Sequence, residues 1–347
     1  MTLRLRQLMD ASSSTLTYLI YEEDSRAAII IDPVYEQFPR DFALIEELGL
    51  RLEWVLDTHC HADHVTAAWL FSQKTKAKYA VSESFAAEGA DRLLLDGDCV
   101  EFGSSGELKV LGTPGHTEGC LSYYCPTLEA VFTGDALLIR GTGRTDFQSG
   151  SPSRLYQSIH EVIFALDDQT KIYPAHDYHG RFESSVGEEK RLNPRIGGGA
   201  NKRDFVRYLE NLGLPHPKKI AVAVPANLKG GKPENGKFPF DEDWAPLFTS
   251  YAGIQEISHE RLIPNLEKVY VLDVRDADEI KAQPVLDRSI QIPLAELKDR
   301  LDEIASDKPI VAACRSGRRS AAAVNILKKN GFSRVANLQQ GFLEWPE

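Results

Sequence analysis

Nothing in the 347-residue chain approaches the ~20 consecutive apolar residues of a membrane span, so no transmembrane helix is expected. The opening stretch MTLRLRQLMDASSSTLTYLI has two arginines but neither an uninterrupted apolar core nor a small-residue cleavage site, which argues against a secretory signal. Its five cysteines (Cys60, Cys99, Cys120, Cys125, Cys314) are odd in number and show no Cys-x-x-Cys spacing. A disulfide framework is thereby excluded, and a reducing, cytoplasmic setting is expected. Positive charge is in deficit: 40 Lys and Arg against 51 Asp and Glu leave a net charge of −11. That balance disfavours nucleic acid or an anionic membrane as the main partner, while local Arg clusters still admit an anionic small molecule. Long internal repeats and low-complexity tracts are absent, and homo-oligomerisation is left open.

The length suits about two domains. In the first part, short runs rich in Val, Ile and Tyr and bounded by turn residues (TYLIY, AAIIID, WVLDTH, ELKVLGTPGH, LSYYC, AVFTGD, KIYPAH) read as strands. Helical periodicity lies between some of them, at Phe42–Leu50, Val65–Ser72 and Ser153–Leu166. The mixture predicts a layered α/β architecture. A helix over Lys202–Leu212 and a strand at KKIAVAVP follow. Lys229–Pro246 is dense in Gly, Pro and charge and reads as a linker or extended arm. From Gly253 strands and helices alternate as in a small parallel α/β domain. The expected division is residues 1–228, a linker over 229–252, and residues 253–347.

Thr58-His59-Cys60-His61-Ala62-Asp63-His64 follows directly on the strand WVLD. Three imidazoles and a carboxylate in so short a stretch at a strand-to-helix junction suit metal binding. The loop would turn His59 and His61 to one ion, and the first helical turn would aim Asp63 and His64 beside it. His116 in GTPGHTEG, Asp135 in FTGD and His176 in YPAH also stand where strands end, so all seven would converge at one edge of the sheets. Isolated histidines such as His160, His179, His216 and His259 are read as structural.

This set resembles the metallo-β-lactamase superfamily over about Met1–Asn227, implying an αββα sandwich. Within it the chain is similar both to glyoxalase II, a two-metal thioester hydrolase, and to persulfide dioxygenase, a one-iron enzyme. The wording THCHADH, GTPGHTEGC, FTGDALLIRGTGRTDFQSG, YPAHDY, LNPR and AVPAN is nearer the dioxygenase. The resemblance implies Fe(II) on His59, His116 and Asp135, a facial set that leaves adjacent positions for O2 and a substrate sulfur. It casts His61, Asp63, His64 and His176 as residues that orient ligands or move protons. Arg144 and Tyr178 match positions that contact glutathione in these families. Ligand spacing alone does not count the ions, and a two-metal hydrolase stays open. Gly141 and Gly143 read as turn formers, since no Walker Lys-Ser/Thr follows.

Near the C-terminus the strand PIVAA runs into Cys314-Arg315-Ser316-Gly317-Arg318-Arg319-Ser320 and a helix. A Cys at that junction meets converging N–H groups and the positive end of the helix, which lower a thiol pKa and favour anions. Arg315 and Arg318 add charge, and Gly317 lets the loop wrap. The loop, with LDVR (Leu272–Arg275), Glu279 and GFLEW (Gly341–Trp345), resembles the rhodanese domain over about Gly253–Glu347. The resemblance implies a persulfide carried on Cys314, a loop-organising Arg319, and structural Asp273 and Arg275. The family's GHIPGA stretch is replaced by Gln283–Ser289, so the rim of the site differs. Dual-specificity phosphatases use a loop one residue longer, which favours sulfur over phosphorus here. A non-catalytic sulfur-sensing module remains an alternative, against which the intact Cys314 loop speaks. Together the halves imply oxidation of glutathione persulfide by O2 to sulfite and glutathione, and sulfur transfer between thiosulfate and glutathione.

Overall fold

Two six-stranded sheets form the first part of the chain. The computed structural model describes every residue except Met1, His216, Asp241, Pro284, Val285, Asp287, Pro346, Glu347 and the side chain of Glu344. The first sheet runs in sequence order: β1 (Leu3–Asp10), β2 (Thr15–Glu22), β3 (Ala27–Ile31), β4 (Arg51–Leu56), β5 (Lys78–Ser82) and β6 (Arg92–Leu94). Its first three strands pair antiparallel and the rest parallel. The second is β7 (Cys99–Phe102), β8 (Gly106–Gly112), β9 (Leu121–Cys125), β10 (Ala130–Gly134), β11 (Lys171–Pro174) and β12 (Ser184–Ser185), with only β10 and β11 parallel.

Alternation along the strands decides which side chains meet. Leu16, Tyr18, Ile20, Ile29, Ile31 and Leu56 of the first sheet share one core with Val100, Leu108, Val110, Tyr123, Phe132 and Tyr173 of the second. Tyr18 packs its ring 4.9 Å from Phe132 and donates its hydroxyl to the Pro174 carbonyl at 2.6 Å. Burying each such side chain contributes roughly 1.5–3 kcal/mol. The intervening residues Val131 and Ile172 point the other way, into a second cluster with Leu155, Ile159, Phe205 and Leu209. Those come from α3 (Pro152–Gln157), the π-helical turn Ser158–Ile163 that continues it, and α5 (Lys202–Glu210); α1 (Phe38–Glu47), α2 (Ala68–Thr75) and α4 (Val186–Leu192) are the other helices up to this point. On the first sheet, buried Leu70 and Phe71 of α2 lie against β4, with Phe38 edge-on to Phe71 at 4.9 Å. The layers are the expected helix–sheet–sheet–helix sandwich.

Two local expectations are corrected. KKIAVAVP is a helix, α6 (Ile220–Asn227), because its buried positions Ala223 and Asn227 are four apart while Val222 is 67 % exposed; in so short an apolar run strand and helix patterns overlap. The helix after THCHADH starts only at Ala68, so Asp63 and His64 stand on a loop, not a first helical turn. Two compact units divide the chain: one comprises Met1–Asp41 and Leu48–Lys237, the other Phe42–Glu47 and Phe238–Glu347. The Gly230 carbonyl accepts from Trp69 in the first, and Trp244 and Ala245 lie in a core of the second.

The second unit has one sheet, β13 (Phe248–Thr249), β14 (Gln255–Ile257), β15 (Tyr270–Asp273), β16 (Ile290–Gln291), β17 (Ile310–Ala313) and β18 (Val335–Leu338), ordered β13-β14-β18-β17-β15-β16. All neighbours but β13 and β14 are parallel. Among its described residues after 237 the helices are α7 (His259–Leu262), α8 (Ala277–Ala282) and α9 (Arg318–Lys329). Ile310, Ala312 and Cys314 face the core under α9, and Val311 and Ala313 face the opposite one. His216 and part of Gln283–Ser289 lie outside the described residues.

Candidate metal centre and cysteine loop

The C-terminal ends of β3, β4, β10 and β11 and the loop after β8 bring the predicted residues of the first unit to one edge of the sandwich. Main-chain bonds fasten that edge: Asp32 N–H to Leu56 O at 2.8 Å, Leu121 N–H to Thr58 O at 2.8 Å, and Ala175 N–H to Gly134 O at 2.9 Å. Ligand atoms of His59, His116 and Asp135 lie within 4.8 Å of one another. Their protons point elsewhere. His116 Nδ1–H donates to the Arg144 carbonyl at 2.6 Å, so Nε2 keeps its lone pair, 3.6 Å from Asp135 Oδ2. Thr58 Oγ1 gives its proton to Asp32 Oδ2 at 2.9 Å and therefore accepts His59 Nδ1–H at 3.0 Å, leaving a lone pair on His59 Nε2. Burial and the adjacent His61 and His116 rings hold the His59 imidazole neutral. Two nitrogen lone pairs and a carboxylate, with no donor between them, fit a divalent cation. The backbone approaches closely here: a Cβ on Gly143 would lie 2.2 Å from the Asp135 carbonyl.

His61, Asp63 and His64 form an adjoining group with ligand atoms inside the same 4.8 Å limit. His61 Nε2 bonds Asp32 Oδ1 at 3.0 Å and His64 Nδ1 bonds Asp63 Oδ2 at 3.0 Å; His61 Nδ1 and His64 Nε2 are buried without a hydrogen-bond partner. His176 bridges the groups, with Nδ1 2.7 Å from Asp135 Oδ1 and Nε2 3.0 Å from Asp63 Oδ2. Burial opposes its charge, but the two carboxylates outweigh burial and hold the ring protonated.

In the second unit Cys314 directly follows β17 and is 1 % exposed. Burial disfavours the thiolate; the Ser320 hydroxyl, 3.3 Å from Sγ, and the N–H groups of Ser320, Ser316 and Arg319 outweigh it and lower the pKa below the ordinary thiol value. The other four cysteines are pushed up, chiefly by burial, Cys60 and Cys120 to about 12. Arg315 and Arg318 stand exposed at the rim. Arg319 instead forks onto Glu279 at 2.6 and 2.7 Å. Asp273 and Arg275 form a buried pair at 2.6 Å with the guanidinium over the Phe342 ring. Gly317 has φ +83°, and a Cβ on Gly341 would sit 2.2 Å from the Cys314 carbonyl.

A model of the metallo-beta-lactamase superfamily matches residues 13–176 and one of the rhodanese-like domain matches residues 258–347. Mitochondrial persulfide dioxygenase ETHE1 of Homo sapiens is 47 % identical over 227 residues, spanning 65 % of this chain and 88 % of the relative. The chain belongs to the persulfide dioxygenase family. The crystal structure of ETHE1 from Myxococcus xanthus superposes with a TM-score of 0.64 at 49 % identity, covering 66 % of this chain and 99 % of that one. A Staphylococcus aureus metallo-beta-lactamase at 21 % identity and TM-score 0.62 shares the fold over 97 % of this chain and 98 % of its own. This persulfide dioxygenase homologue thus joins a metal-binding sandwich to a rhodanese-like domain.

Two expectations at the rim meet a different geometry. In this family member Arg144 is not an open fork: Nε and Nη2 bond Asp146, both at 2.6 Å, while Nη1 and Nη2 reach the carbonyls of Pro215 and Leu214 at 2.6 and 3.0 Å. Four of its five N–H directions are used, because Asp146 shares its loop. Tyr178 is 65 % exposed, its ring parallel to His176 at 6.0 Å, and so stands at the mouth. The sequence reading missed Asp32, Thr58, Asn227 and Ser320. Asp32 is 1 % exposed with φ +52°, held there by Thr58 and His61. Its signal was an apolar strand ending in Asp, the pattern that marks Asp57 and Asp135. Removing the Ser320 donor in Ser320→Ala should raise the pH midpoint of Cys314 alkylation by about one unit, the scale of one hydrogen bond to a charged group. An unmoved midpoint would leave the thiolate to the backbone alone.

Proposed function

We propose that the chain oxidises glutathione persulfide with O2, giving sulfite and glutathione, and moves sulfane sulfur between thiosulfate and glutathione through Cys314. The first reaction balances as persulfide, O2 and water to glutathione and sulfurous acid, the sulfane sulfur losing four electrons to O2. The observation that carries it is the set of two imidazole lone pairs and a carboxylate, His59, His116 and Asp135, in a persulfide dioxygenase homologue. These residues would hold one Fe(II), which when bound brings O2 and the substrate sulfur together. Arg144 holds His116 through its carbonyl, Thr58 and Asp32 hold His59, and His176 holds Asp135, so this chain's part is to fix the donors and shield them from water.

At the second site the Cys314 thiolate attacks the outer sulfur of thiosulfate, releasing sulfite, and the resulting persulfide passes that sulfur to glutathione thiolate. Arg315 and Arg318 attract the anion, and the loop N–H groups support charge on sulfur. The reverse transfer uses the same residues. Five unpaired cysteines suit a reducing, cytoplasmic compartment; no helix among the described residues is long and apolar enough to cross a membrane.

A second reading is favoured by the unpartnered nitrogens of His61 and His64: a second ion on His61, Asp63 and His64, as a thioester hydrolase would require. Metal analysis decides. About one iron per chain with O2 uptake on glutathione persulfide supports the dioxygenase, and two ions with thioesterase activity and no O2 uptake overturn it.

For glutathione to use Arg144, its carboxylate must replace Asp146. Arg144→Ala is therefore expected to raise KM for glutathione persulfide about tenfold with kcat little changed, while Asp146→Ala, which releases the fork, lowers KM. Steady-state O2 uptake checks both; a fall in kcat at constant KM for Arg144→Ala would move it into the chemistry.

A further inference from the structure

AVPAN, residues 223–227, has no part in the chemistry above. Its final residue ends α6, and its side chain is 1 % exposed. Asn227 Nδ2 donates to the main-chain carbonyls of His61 and His64, both at 2.9 Å, and Oδ1 accepts Thr66 N–H at 2.8 Å. Both amide protons and the amide oxygen are thus spent on one segment. That segment, from Asp57 to Ala67, contains neither helix nor strand, is largely buried, and carries His59, His61, Asp63 and His64. A buried irregular segment needs partners for its backbone groups, and here a side chain supplies three of them. Gln148 fastens the preceding carbonyl, that of Cys60, at 3.0 Å.

We propose that Asn227 is a positioning residue for the metal centre. By tying the carbonyls of residues 61 and 64 to the N–H of residue 66 it sets the curvature of the loop. That curvature places His59 beside His116 and turns His61 Nε2 to Asp32. The helix α6 thereby acts on the centre without touching it through any ligand atom. This rests on the reading that the first unit holds a metal at that centre.

The test uses the full chain with Co(II) as the probe, in wild type, Asn227→Ala, Asn227→Asp and the control Val222→Ala. The Asp variant keeps the shape and the acceptor for Thr66 N–H but sets carboxylate oxygens against two carbonyls. Both Asn227 variants are expected to raise the Kd for Co(II) by about 10–100-fold, to alter the visible Co(II) spectrum, and to shrink the rise in Tm that saturating Co(II) produces. The control, on an exposed position of the same helix, should match wild type. A lowered metal-free Tm with unchanged Kd and spectrum would make Asn227 merely structural and overturn the proposal. Failure to recover either variant folded would overturn it as well. Wild type that takes up no metal defeats the metal reading and this inference together, whereas equal binding by wild type and variants defeats this inference alone.

Discussion

His116→Ala is expected to retain no more than about a tenth of the wild-type iron and to lose O2 uptake on glutathione persulfide by about 100-fold or more. The substitution removes a buried nitrogen whose lone pair faces Asp135 Oδ2 at 3.6 Å and whose other nitrogen is anchored to the Arg144 carbonyl at 2.6 Å. One imidazole and one carboxylate remain, and two donors hold Fe(II) poorly against water. The loss of the ring also leaves the Arg144 carbonyl without that donor. Sulfur transfer between thiosulfate and glutathione should be untouched, because its nucleophile lies in the other compact unit. Iron analysis beside oxygen-electrode and sulfurtransferase assays checks this, and full iron occupancy with normal uptake would sink the ligand assignment.

Cys314→Ser should lower sulfur transfer by on the order of 10³ or more, the scale of losing a covalent nucleophile, and leave oxidation of preformed glutathione persulfide nearly intact. The hydroxyl fits the space and can take the N–H bonds now directed at Sγ, so the loop should keep its form and still attract thiosulfate through Arg315 and Arg318. A serine is not ionised near neutral pH and forms no persulfide. Thiosulfate with glutathione should therefore support O2 consumption in wild type and not in the variant. Equal uptake in both would mean that the rhodanese-like domain does not supply the oxidation. The pH dependence of the transfer has a definite sign: since the loop lowers the Cys314 pKa, the wild-type rate should level off below the pH at which an ordinary thiol would.

Strand ends were legible because a short apolar run broken by a polar residue has few other uses. His59, His61, Asp63 and His64 after WVLD, His116, Asp135, His176 and Cys314 were each visible by that logic. Asp32 showed the same signal after AAIII but had no neighbouring ligand type to draw attention, and its left-handed backbone is a tertiary outcome. Asn227 was hidden for another reason: the helix that presents it looked like a strand, since Val and Ala alternate there, and only packing reveals the four-residue spacing of its buried positions.

The sequence by itself determined the layered α/β class, the two families resembled and their order along the chain, and the residue types at both sites, because hydrophobic period and polar punctuation are local properties. Tertiary structure alone decided which atoms carry lone pairs and which carry protons. It gave His116 Nδ1 to the Arg144 carbonyl, His59 Nδ1 to Thr58 and the Arg144 fork to Asp146. It also lowered one cysteine of five, since only Cys314 meets enough N–H and O–H donors to outweigh its burial. Arg144 lies 28 residues from His116, and the other partners, though near in sequence, depend on a loop's curvature; no local pattern encodes either.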